Sequence, residues 1–307
     1  MAEPSIAQLR AFAGVARERH FGLAADELGV TQPAVSAALR ALEQSLGGRL
    51  VERTSRRVLV TALGEALLPA AEQVLAALDD FVATAAGAVG SHTGPLRLGV
   101  IPTVAPYLLP TLLGSLGTEF PALDPEVRED QTRHLLDALT AGALDLVVLA
   151  LPAGRADVVE LPLYWEEFLL LVPEGHPAAG GPLPLADLSR LDVLLLSEGH
   201  CLRDQALEVC HQAGATGRTA QAASLTTLSQ LVAADLGVTL LPATAVPVEV
   251  RRGLATARFI DSPPPGRTIG LVHRQTSARA QEYEEIAGTL RRALSATSLP
   301  LRLPAGP

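Results

Sequence analysis

The first sixty residues contain three short stretches in which apolar side chains recur every three or four positions, the spacing of one helix face. These stretches are Ile6-Leu9-Phe12-Val15, Leu23-Ala24-Leu28 and Val35-Ala38-Leu39-Leu42. Gly29 follows the second stretch, where a helix favours a left-handed residue. Thr31 can cap the third helix, and Pro33 stands in its first turn, where the missing N–H costs nothing. Two helices joined by a tight turn of this kind predict a helix-turn-helix.

Two short apolar runs follow the third predicted helix. Leu50-Val51 and Val58–Val60 flank the polar turn Arg53–Arg57. This arrangement predicts two strands with a basic tip, the wing of a winged helix-turn-helix. We assign residues 1–60 to this N-terminal domain.

From Thr61 the apolar pattern is that of one long helix. Its apolar positions are separated alternately by four and three residues, at Leu67, Ala71, Val74, Leu78, Phe81 and Ala85. Such an a/d pattern predicts packing against another helix. Packing on its own domain is one interpretation, but a seam placed between two domains favours self-association. We therefore predict a dimerisation helix over 61–90, with contacts from Leu67, Val74, Leu78 and Phe81, and a hinge over 91–95.

Beyond Pro95, strand-like apolar runs alternate with amphipathic helical stretches. The predicted strands are Leu96–Ile101, Val127–Glu129, Leu144–Leu151, Phe168–Val172, Asp192–Ser197, Ala220–Ser224, Val238–Pro242 and Thr268–His273. The predicted helices are Tyr107–Phe120, His134–Ala143, Cys201–Ala213, Leu225–Leu236 and Ser277–Ala296. This alternation is typical of α/β folds with largely parallel sheets. We predict an α/β effector domain over 96–307, with lobe I at 96–167 and 269–300, lobe II at 168–268, and a cleft between the lobes.

Composition restricts the class of protein. The chain has 307 residues, of which 48% are hydrophobic and 19% charged, and this suits a globular protein of two or three domains. No apolar run reaches the roughly 18 residues that a transmembrane helix needs, and the N-terminus lacks the basic and apolar regions of a signal peptide. We expect a cytoplasmic protein with no membrane partner. The two cysteines, Cys201 and Cys210, are too few for a disulfide scaffold.

The charge is distributed unevenly along the chain. The formal net charge is −9, yet the first 60 residues hold eight arginines against six acidic residues, a charge of +2. The remaining residues hold 16 arginines against 27 acidic residues, a charge of −11. A basic head on an acidic chain indicates that the head is the part able to contact nucleic acid.

The N-terminal motif resembles a known family over essentially the full chain. Residues 21–36 read FGLAADELGVTQPAVS, and they are followed by the matching positions Leu42-Glu43, Leu46-Gly47, Leu50–Arg53, Thr61 and Gly64. This pattern is similar to that of LysR-type transcriptional regulators. The resemblance implies a winged helix-turn-helix, a dimerising linker helix and a two-lobed effector domain like type 2 periplasmic binding proteins. It also implies a homodimer or homotetramer that binds double-stranded promoter DNA and RNA polymerase.

A second motif resembles the peroxide-sensing branch of that family. It is GHCLRDQA over Gly199–Ala206, with Cys210 nine positions after Cys201. The resemblance implies an activator of antioxidant genes for which hydrogen peroxide is the signal, Cys201 the oxidised thiol and Cys210 the resolving thiol. The resemblance also implies that Thr103 and Thr132 contact the peroxide through their hydroxyls and that Asp204 activates the resolving thiol. The full set of residues expected to support the peroxide site is Thr103, Thr132, His200, Arg203, Asp204 and Arg267. We expect no cofactor and a cellular thiol as the reductant.

The predicted helix gives the two thiols different surroundings. Cys201 stands in the first turn, where free N–H groups and the helix dipole favour a thiolate that peroxide can oxidise to sulfenic acid. Nine residues of helix rise about 13.5 Å and turn about 900°, so Cys210 faces the opposite side. A disulfide needs Cα atoms about 5.5 Å apart, so pairing would require the helix to unravel. A switch that stops at sulfenic acid is the alternative. We expect Cys210 to be buried in the reduced protein.

The third helix of the head carries the candidate DNA contacts. Its start and exposed side are predicted to hold Thr31, Gln32, Pro33, Ser36 and Arg40. In a helix-turn-helix such residues face base edges in the major groove, where Gln can pair with adenine and Arg with guanine or phosphate. In the wing, Arg53 and Arg56 are expected to contact phosphates or the minor groove.

Other functions fit the residues less well. The runner-up is a regulator of the same family that senses a small metabolite in the cleft, with structural cysteines. A thiol peroxidase would have no use for the helix-turn-helix and its basic wing, so we expect no enzyme. A periplasmic solute-binding module is disfavoured because we find no signal peptide pattern. We also expect no metal site, because no His or Cys pair has suitable ligand spacing.

Overall fold

The computed structural model describes residues 3–53, 58–87 and 92–304. They belong to two compact units, one of Met1–Val89 with Thr140–Ala143, the other of Gly90–Leu139 with Leu144–Pro307. The elements of the first unit follow the predicted order: α1 (Ile6–Glu18), α2 (Phe21–Glu27), α3 (Gln32–Leu46), β1 (Val51–Arg53), β2 (Val58–Val60) and α4 (Ala62–Gly87).

Local sequence signals fix the ends of the first helices. Ser5 and Gln8 form a capping box at the start of α1. At α2 the ring nitrogen of His20 accepts hydrogen bonds from the N–H groups of Gly22 and Leu23, a cap that the apolar pattern did not indicate. Gly29 has a φ of 64°, so the predicted left-handed residue after α2 is confirmed. The helix-turn-helix is closed by a core that includes Phe12, Val35, Leu39 and Leu42, each 1% exposed.

The long helix α4 leaves part of its predicted seam exposed. It has 26 residues and begins one residue after Thr61. Ala71 is buried against the head, and Leu67 and Leu78 are half-buried. Val74 and Phe81, however, are 47% and 73% exposed. These side chains form an apolar stripe that faces solvent in the single chain.

The second unit holds the remaining elements. Its strands are β3 (Gly94–Val100), β4 (Leu123–Glu129), β5 (Leu146–Leu151), β6 (Val158–Pro173), β7 (Val193–Leu196), β8 (Gly217–Ala222), β9 (Thr239–Pro242), β10 (Leu254–Ala257) and β11 (Gly266–Arg274). Its α-helices are α5 (Ala105–Glu119), α6 (Thr132–Thr140), α7 (Cys201–Gln212), α8 (Leu225–Ala233), α9 (Val246–Glu249) and α10 (Ala280–Ser295). Gly94 and Pro95, the last two residues of the predicted hinge over 91–95, belong to β3 because their backbone pairs with β4.

The prediction of largely parallel sheets is wrong. Only β3 with β4, β3 with β5, and β7 with β8 are parallel among the described strand pairs. The strands β9, β10 and β11 all run antiparallel to β6, and β11 also runs antiparallel to β5. The physical reason is that β6 carries the chain from one lobe to the other while β11 carries it back. Two neighbouring strands that cross a junction in opposite directions must pair antiparallel.

The 16-residue strand β6 joins two separate hydrophobic cores. Its residues up to Glu167 pair with β11, whereas Phe168 is the first to pair with β9. The core before this point includes residues of β3, β5, β11 and α10, and the core after it includes residues of β7, β9, α7 and α8. Tyr283 and Leu290 place α10 in the first core, although the helix comes last in the chain. We refer to the region around the first core as lobe I and to the region around the second core as lobe II.

Among the described residues, no helix is long and apolar enough to cross a membrane.

Candidate thiol site between the lobes

A narrow, tightly closed cleft lies where the two lobes meet. Lobe I contributes the segment after β3 and the start of α6, and lobe II contributes the turn before α7. The lining residues are Ile101, Pro102, Thr103, Gln131, Thr132, Gly199, His200 and Cys201. The structure therefore brings together four of the predicted site residues from three distant parts of the sequence.

Cys201 is the first residue of α7, as the sequence predicted. Its exposure is intermediate, and its side chain packs against the core of lobe I. Residue 200 is the N-cap and makes no side-chain capping bond, which leaves first-turn N–H groups near the thiol. The positive end of the helix dipole favours a thiolate at this place.

Cys210 lies on the same helix but in the other core. It is 0% exposed among the residues of lobe II, which confirms the expected burial. Burial raises the pKa of its thiol above the ordinary value because the thiolate loses solvation. Both thiols are free. The uninterrupted helix from Cys201 to Gln212 separates the backbones of the two cysteines by an axial rise of about 13.5 Å, as predicted.

Arg267 supplies a buried positive charge beside Cys201. It is 3% exposed, and its Nη1 and Nη2 groups donate to the hydroxyl and carbonyl oxygens of Thr103 at 2.9 and 3.1 Å. Its Nε donates to Glu166 at 2.8 Å. Burial opposes the charge, but attraction to Glu166 and then to Cys201 outweighs it, so the pKa of Arg267 is raised. The guanidinium therefore stays charged and its field acts on the sulfur.

Two polar atoms at the cleft are buried and have no hydrogen-bond partner among the residues that the structure describes. They are Oγ1 of Thr132 and Nδ1 of His200. Burial lowers the pKa of His200, and the opposing attraction to Glu129 does not restore it, so the imidazole is neutral at pH 7. A buried polar atom with no partner costs free energy. A small molecule with hydrogen-bonding oxygens would satisfy both atoms.

Arg203 and Asp204 lie beside the cleft rather than in its lining. Arg203 pairs with Asp204 at 3.3 Å and with Glu198 at 3.7 Å. The Asp204 side chain is 73% exposed, so it is in contact with solvent in this state. Their predicted roles in supporting the site stay predictions.

Gln131 and Glu166 are site residues that sequence reasoning missed. Gln131 lines the cleft, and its Nε2 donates to the carbonyl oxygen of Glu198 at 3.3 Å. Glu166 is 0% exposed within the largely apolar strand β6. The strand also contains Glu160 and Glu167, so no signal in the sequence singled out Glu166, and only the register with β11 shows that it faces Arg267.

The predicted DNA contacts occupy mostly the expected face of α3. Thr31, Gln32, Pro33 and Arg40 are exposed. The prediction that Ser36 lies on the exposed side is wrong: it is 7% exposed, because it precedes Leu39 by three positions and so lies on the helix face that packs into the core. The side chain of Arg53, and Arg56 as a whole, lie outside the described residues.

Within the described ranges, no group of three or more His, Cys, Asp or Glu residues is arranged to hold a metal ion.

Two family descriptions match the chain. Residues 6–65 match the bacterial regulatory helix-turn-helix protein of the lysR family, and residues 90–295 match the LysR substrate binding domain. Together they cover most of the sequence. The chain therefore belongs to the LysR family of bacterial regulatory proteins.

Relatives of nearly the same length narrow this assignment. A probable hydrogen peroxide-inducible genes activator of Streptomyces viridosporus is 53% identical, with 98% of this chain and 97% of that protein covered. The DNA-binding transcriptional dual regulator OxyR of Escherichia coli K12 is 43% identical, with 94% and 95% covered. Within the LysR family, the chain is an OxyR-type member.

Solved structures agree with this placement. Full-length OxyR from Pseudomonas aeruginosa, in a variant form, superposes with a TM-score of 0.81 at 32% identity and complete coverage of both chains. A cysteine mutant of Corynebacterium glutamicum OxyR, with hydrogen peroxide bound, gives a TM-score of 0.67 at 46% identity, covering 96% of this chain and 94% of that one.

The turn that carries Cys201 generates a first prediction. Gly199 has a φ of +92°, and a Cβ there would lie 2.2 Å from Oε1 of Gln131. The Gly199→Ala substitution should therefore lower the free energy of unfolding by about 1–3 kcal/mol, through backbone strain and displacement of Gln131. Urea denaturation followed by circular dichroism measures this change.

Gly114→Ala is the matched control. Gly114 lies within α5, and a Cβ there meets nothing within 4 Å, so this variant should be as stable as the parent or more so. Equal stability of both variants would contradict the tight packing of the turn.

Proposed function

We propose that this protein is a hydrogen-peroxide-sensing transcriptional regulator in which Cys201 is the sensor thiol. The observation that carries the proposal is the position of Cys201, at the N-terminus of α7 in a small cleft and within the field of the buried Arg267. The names of the relatives support the same signal and the role of activator.

The site contains what the first oxidation step needs. The Cys201 thiolate attacks one oxygen of hydrogen peroxide, so an S–O bond forms as the O–O bond breaks. The second oxygen leaves as hydroxide and becomes water by taking up from solvent the proton that the thiol released on ionisation. Sulfur is oxidised to sulfenic acid and peroxide is reduced. Arg267 stabilises the negative charge that moves from sulfur to oxygen, and the hydroxyls of Thr103 and Thr132 and the ring of His200 hold the oxygens.

Cys210 completes the switch in our proposal. The Cys210 thiol loses its proton and its sulfur attacks the sulfur of the Cys201 sulfenic acid, so an S–S bond forms as the S–O bond breaks. The leaving oxygen takes up that proton and departs as water, and we propose that Asp204 assists this proton transfer. Because the cysteines are nine residues apart on one helix, the disulfide requires α7 to unwind. Unwinding withdraws Cys210 from the core of lobe II and changes the surface of that lobe. A cellular thiol then reduces the disulfide.

The size of the cleft favours peroxide over the small-metabolite alternative. In this conformation its lining residues lie so close together that no space of metabolite size remains between them. The lobe junction beside it is filled by Tyr107, whose ring packs in the core of lobe II and whose hydroxyl donates to Glu249 at 2.8 Å. Peroxide has only two heavy atoms, so its binding requires a smaller displacement of the lining residues than the binding of a metabolite would.

The output of the switch is DNA binding by the head. We propose that residues 1–60 bind promoter DNA, residues 61–90 dimerise through the apolar stripe with Val74 and Phe81, and residues 96–307 sense peroxide in the cytoplasm. Exposed Gln32 and Arg40 on α3 support the first assignment, and the solvent-facing stripe supports the second. Redox-dependent contacts within a homotetramer would pass the signal to the DNA and to RNA polymerase.

The redox proposal predicts a defined set of products. After one equivalent of hydrogen peroxide, peptide mass spectrometry should find a Cys201–Cys210 disulfide in the parent protein. In the Cys210→Ala variant, oxidation should stop at a sulfenic acid on Cys201 that dimedone traps, and the Cys201→Ser variant should form neither product.

Footprints on the DNA upstream of the protein's own gene should change with peroxide in the parent protein only. A peroxide response that survives in Cys201→Ser would contradict the sensor role of this residue.

The head generates a separate prediction. Gln32→Ala should lower the affinity for the protein's own operator by about 5- to 150-fold relative to unrelated DNA, which corresponds to the loss of one bidentate base contact. Gln44→Ala is the control, because Gln44 is exposed at the other end of the same helix. Competitive fluorescence anisotropy with specific and unrelated duplexes measures the ratio. Equal effects of the two substitutions would contradict base reading by Gln32.

A further inference from the structure

A fully buried ion pair lies beside the thiol cleft. Glu166 on β6 and Arg267 on β11 are direct partners in the antiparallel ladder, so their side chains leave the same face of the sheet. Their side chains are 0% and 1% exposed, and Nε of Arg267 lies 2.8 Å from Oε1 of Glu166. A buried carboxylate is costly unless its position is fixed and its lone pairs are satisfied.

The second oxygen of Glu166 is also held. Its Oε2 accepts hydrogen bonds from the backbone N–H of Thr244 at 3.2 Å and from the Thr244 hydroxyl at 2.5 Å. Thr244 belongs to the short helical turn Ala243–Ala245 that follows β9 in lobe II. Because both oxygens are bound, the carboxylate cannot rotate, and it gives Nε of Arg267 a fixed acceptor.

The fixed carboxylate of Glu166 determines which way the rest of the Arg267 guanidinium faces. With Nε fixed on Glu166, the far edge of the group donates to Thr103 through both Nη atoms. Thr103 lines the cleft together with Cys201. The hydrogen bonds of the described residues use three of the five N–H groups of Arg267, and the charge of the group acts on both Glu166 and Cys201.

We propose that Glu166 is a positioning residue for the thiol chemistry of Cys201: it holds Arg267 with the far edge of its guanidinium toward the cleft, and it divides the positive charge of Arg267 between its own carboxylate and the sulfur. This inference rests on the proposed function, because it assigns a role within the same site. Glu166 itself does not line the cleft and acts through Arg267.

Other titratable groups surround the pair and Cys201. Glu129, Glu198, Arg203 and Asp204 stay the same in every variant of the test, so they do not contribute to the differences between variants. Burial, followed by the hydrogen bond to Glu249, raises the pKa of Tyr107, and burial followed by repulsion from Glu166 raises that of Tyr164, so both hydroxyls are neutral. His200 is neutral at pH 7 because burial lowers its pKa. The carboxyl of Glu249 accepts the hydrogen bonds of Tyr107 and Thr226. Removal of the charge of Glu166 therefore leaves Arg267 to act more strongly on Cys201.

The test uses the full-length protein with Cys210→Ala, in which Cys201 is the single thiol. Alkylation by iodoacetamide is measured against pH, and sulfenic acid formation is measured with hydrogen peroxide. Glu166→Gln keeps an acceptor for Nε but removes the negative charge. The midpoint of alkylation should therefore fall, and the alkylation rate below the parent midpoint should rise about three- to tenfold.

Glu166→Ala removes the anchor as well as the charge. The guanidinium then loses its fixed orientation, and peroxide oxidation of Cys201 should slow about tenfold or more, whereas Glu166→Gln should remain within about threefold of the parent. If circular dichroism shows that Glu166→Ala does not fold, the alkylation midpoint of Glu166→Gln alone decides whether Glu166 has the proposed positioning role. The matched control is Glu167→Gln, which alters the next carboxylate of β6, paired with the exposed Arg258.

An unchanged alkylation midpoint in Glu166→Gln would overturn the proposal, as would an equal shift in Glu167→Gln. Failure of the proposed function has a different signature. In that case peroxide would not oxidise Cys201 in the parent, while the alkylation midpoint would still report how Glu166 acts on the thiol through Arg267.

Discussion

The rise of one α-helix is the constraint on which the rest of the account depends. Cys201 and Cys210 occupy the two ends of α7, and each is packed against a different hydrophobic core. A disulfide between them is incompatible with that helix. Oxidation of one sulfur atom can therefore become a change of fold, because the covalent bond and the folded helix exclude each other. The reduced state is held by the burial of Cys210, and the oxidised state would be held by the bond.

The junction of the two lobes also makes the thiol at the start of α7 reactive. The strand β6 passes from one core to the other at Glu167 and Phe168, and the ion pair of Glu166 with Arg267 lies immediately before this point. A charge buried there acts through a medium of low polarity, so it influences the nearby thiol more than a surface arginine would. The small cleft, the unpartnered Thr132 hydroxyl and the charged guanidinium thus come from one architectural feature, the meeting of two lobes.

Periodicity predicted the helices of the head, the long helix α4 and the helix that carries both cysteines, because these depend on local spacing. Strand direction could not be predicted, because the alternation of strands and helices along the sequence does not indicate that β6 and β11 cross the lobe junction in opposite directions. Ser36 was assigned to the wrong face, because a small polar residue at the edge of an apolar stripe is compatible with either side. The residues around the thiol were predicted from the resemblance to a known family and not from the spacing of residues along the chain. Glu166 was missed because its partner is 101 positions away, and only sheet register brings them together.

Hydrogen–deuterium exchange of α7 before and after stoichiometric peroxide tests the central claim most directly. Amides of Cys201–Gln212 should be protected in the reduced protein and should lose about tenfold or more of that protection when the disulfide forms. The same sample, digested without reduction, shows whether the bond is present. A mapped Cys201–Cys210 disulfide with unchanged protection over α7 would contradict the account, because the two thiols would then have paired without unwinding the helix.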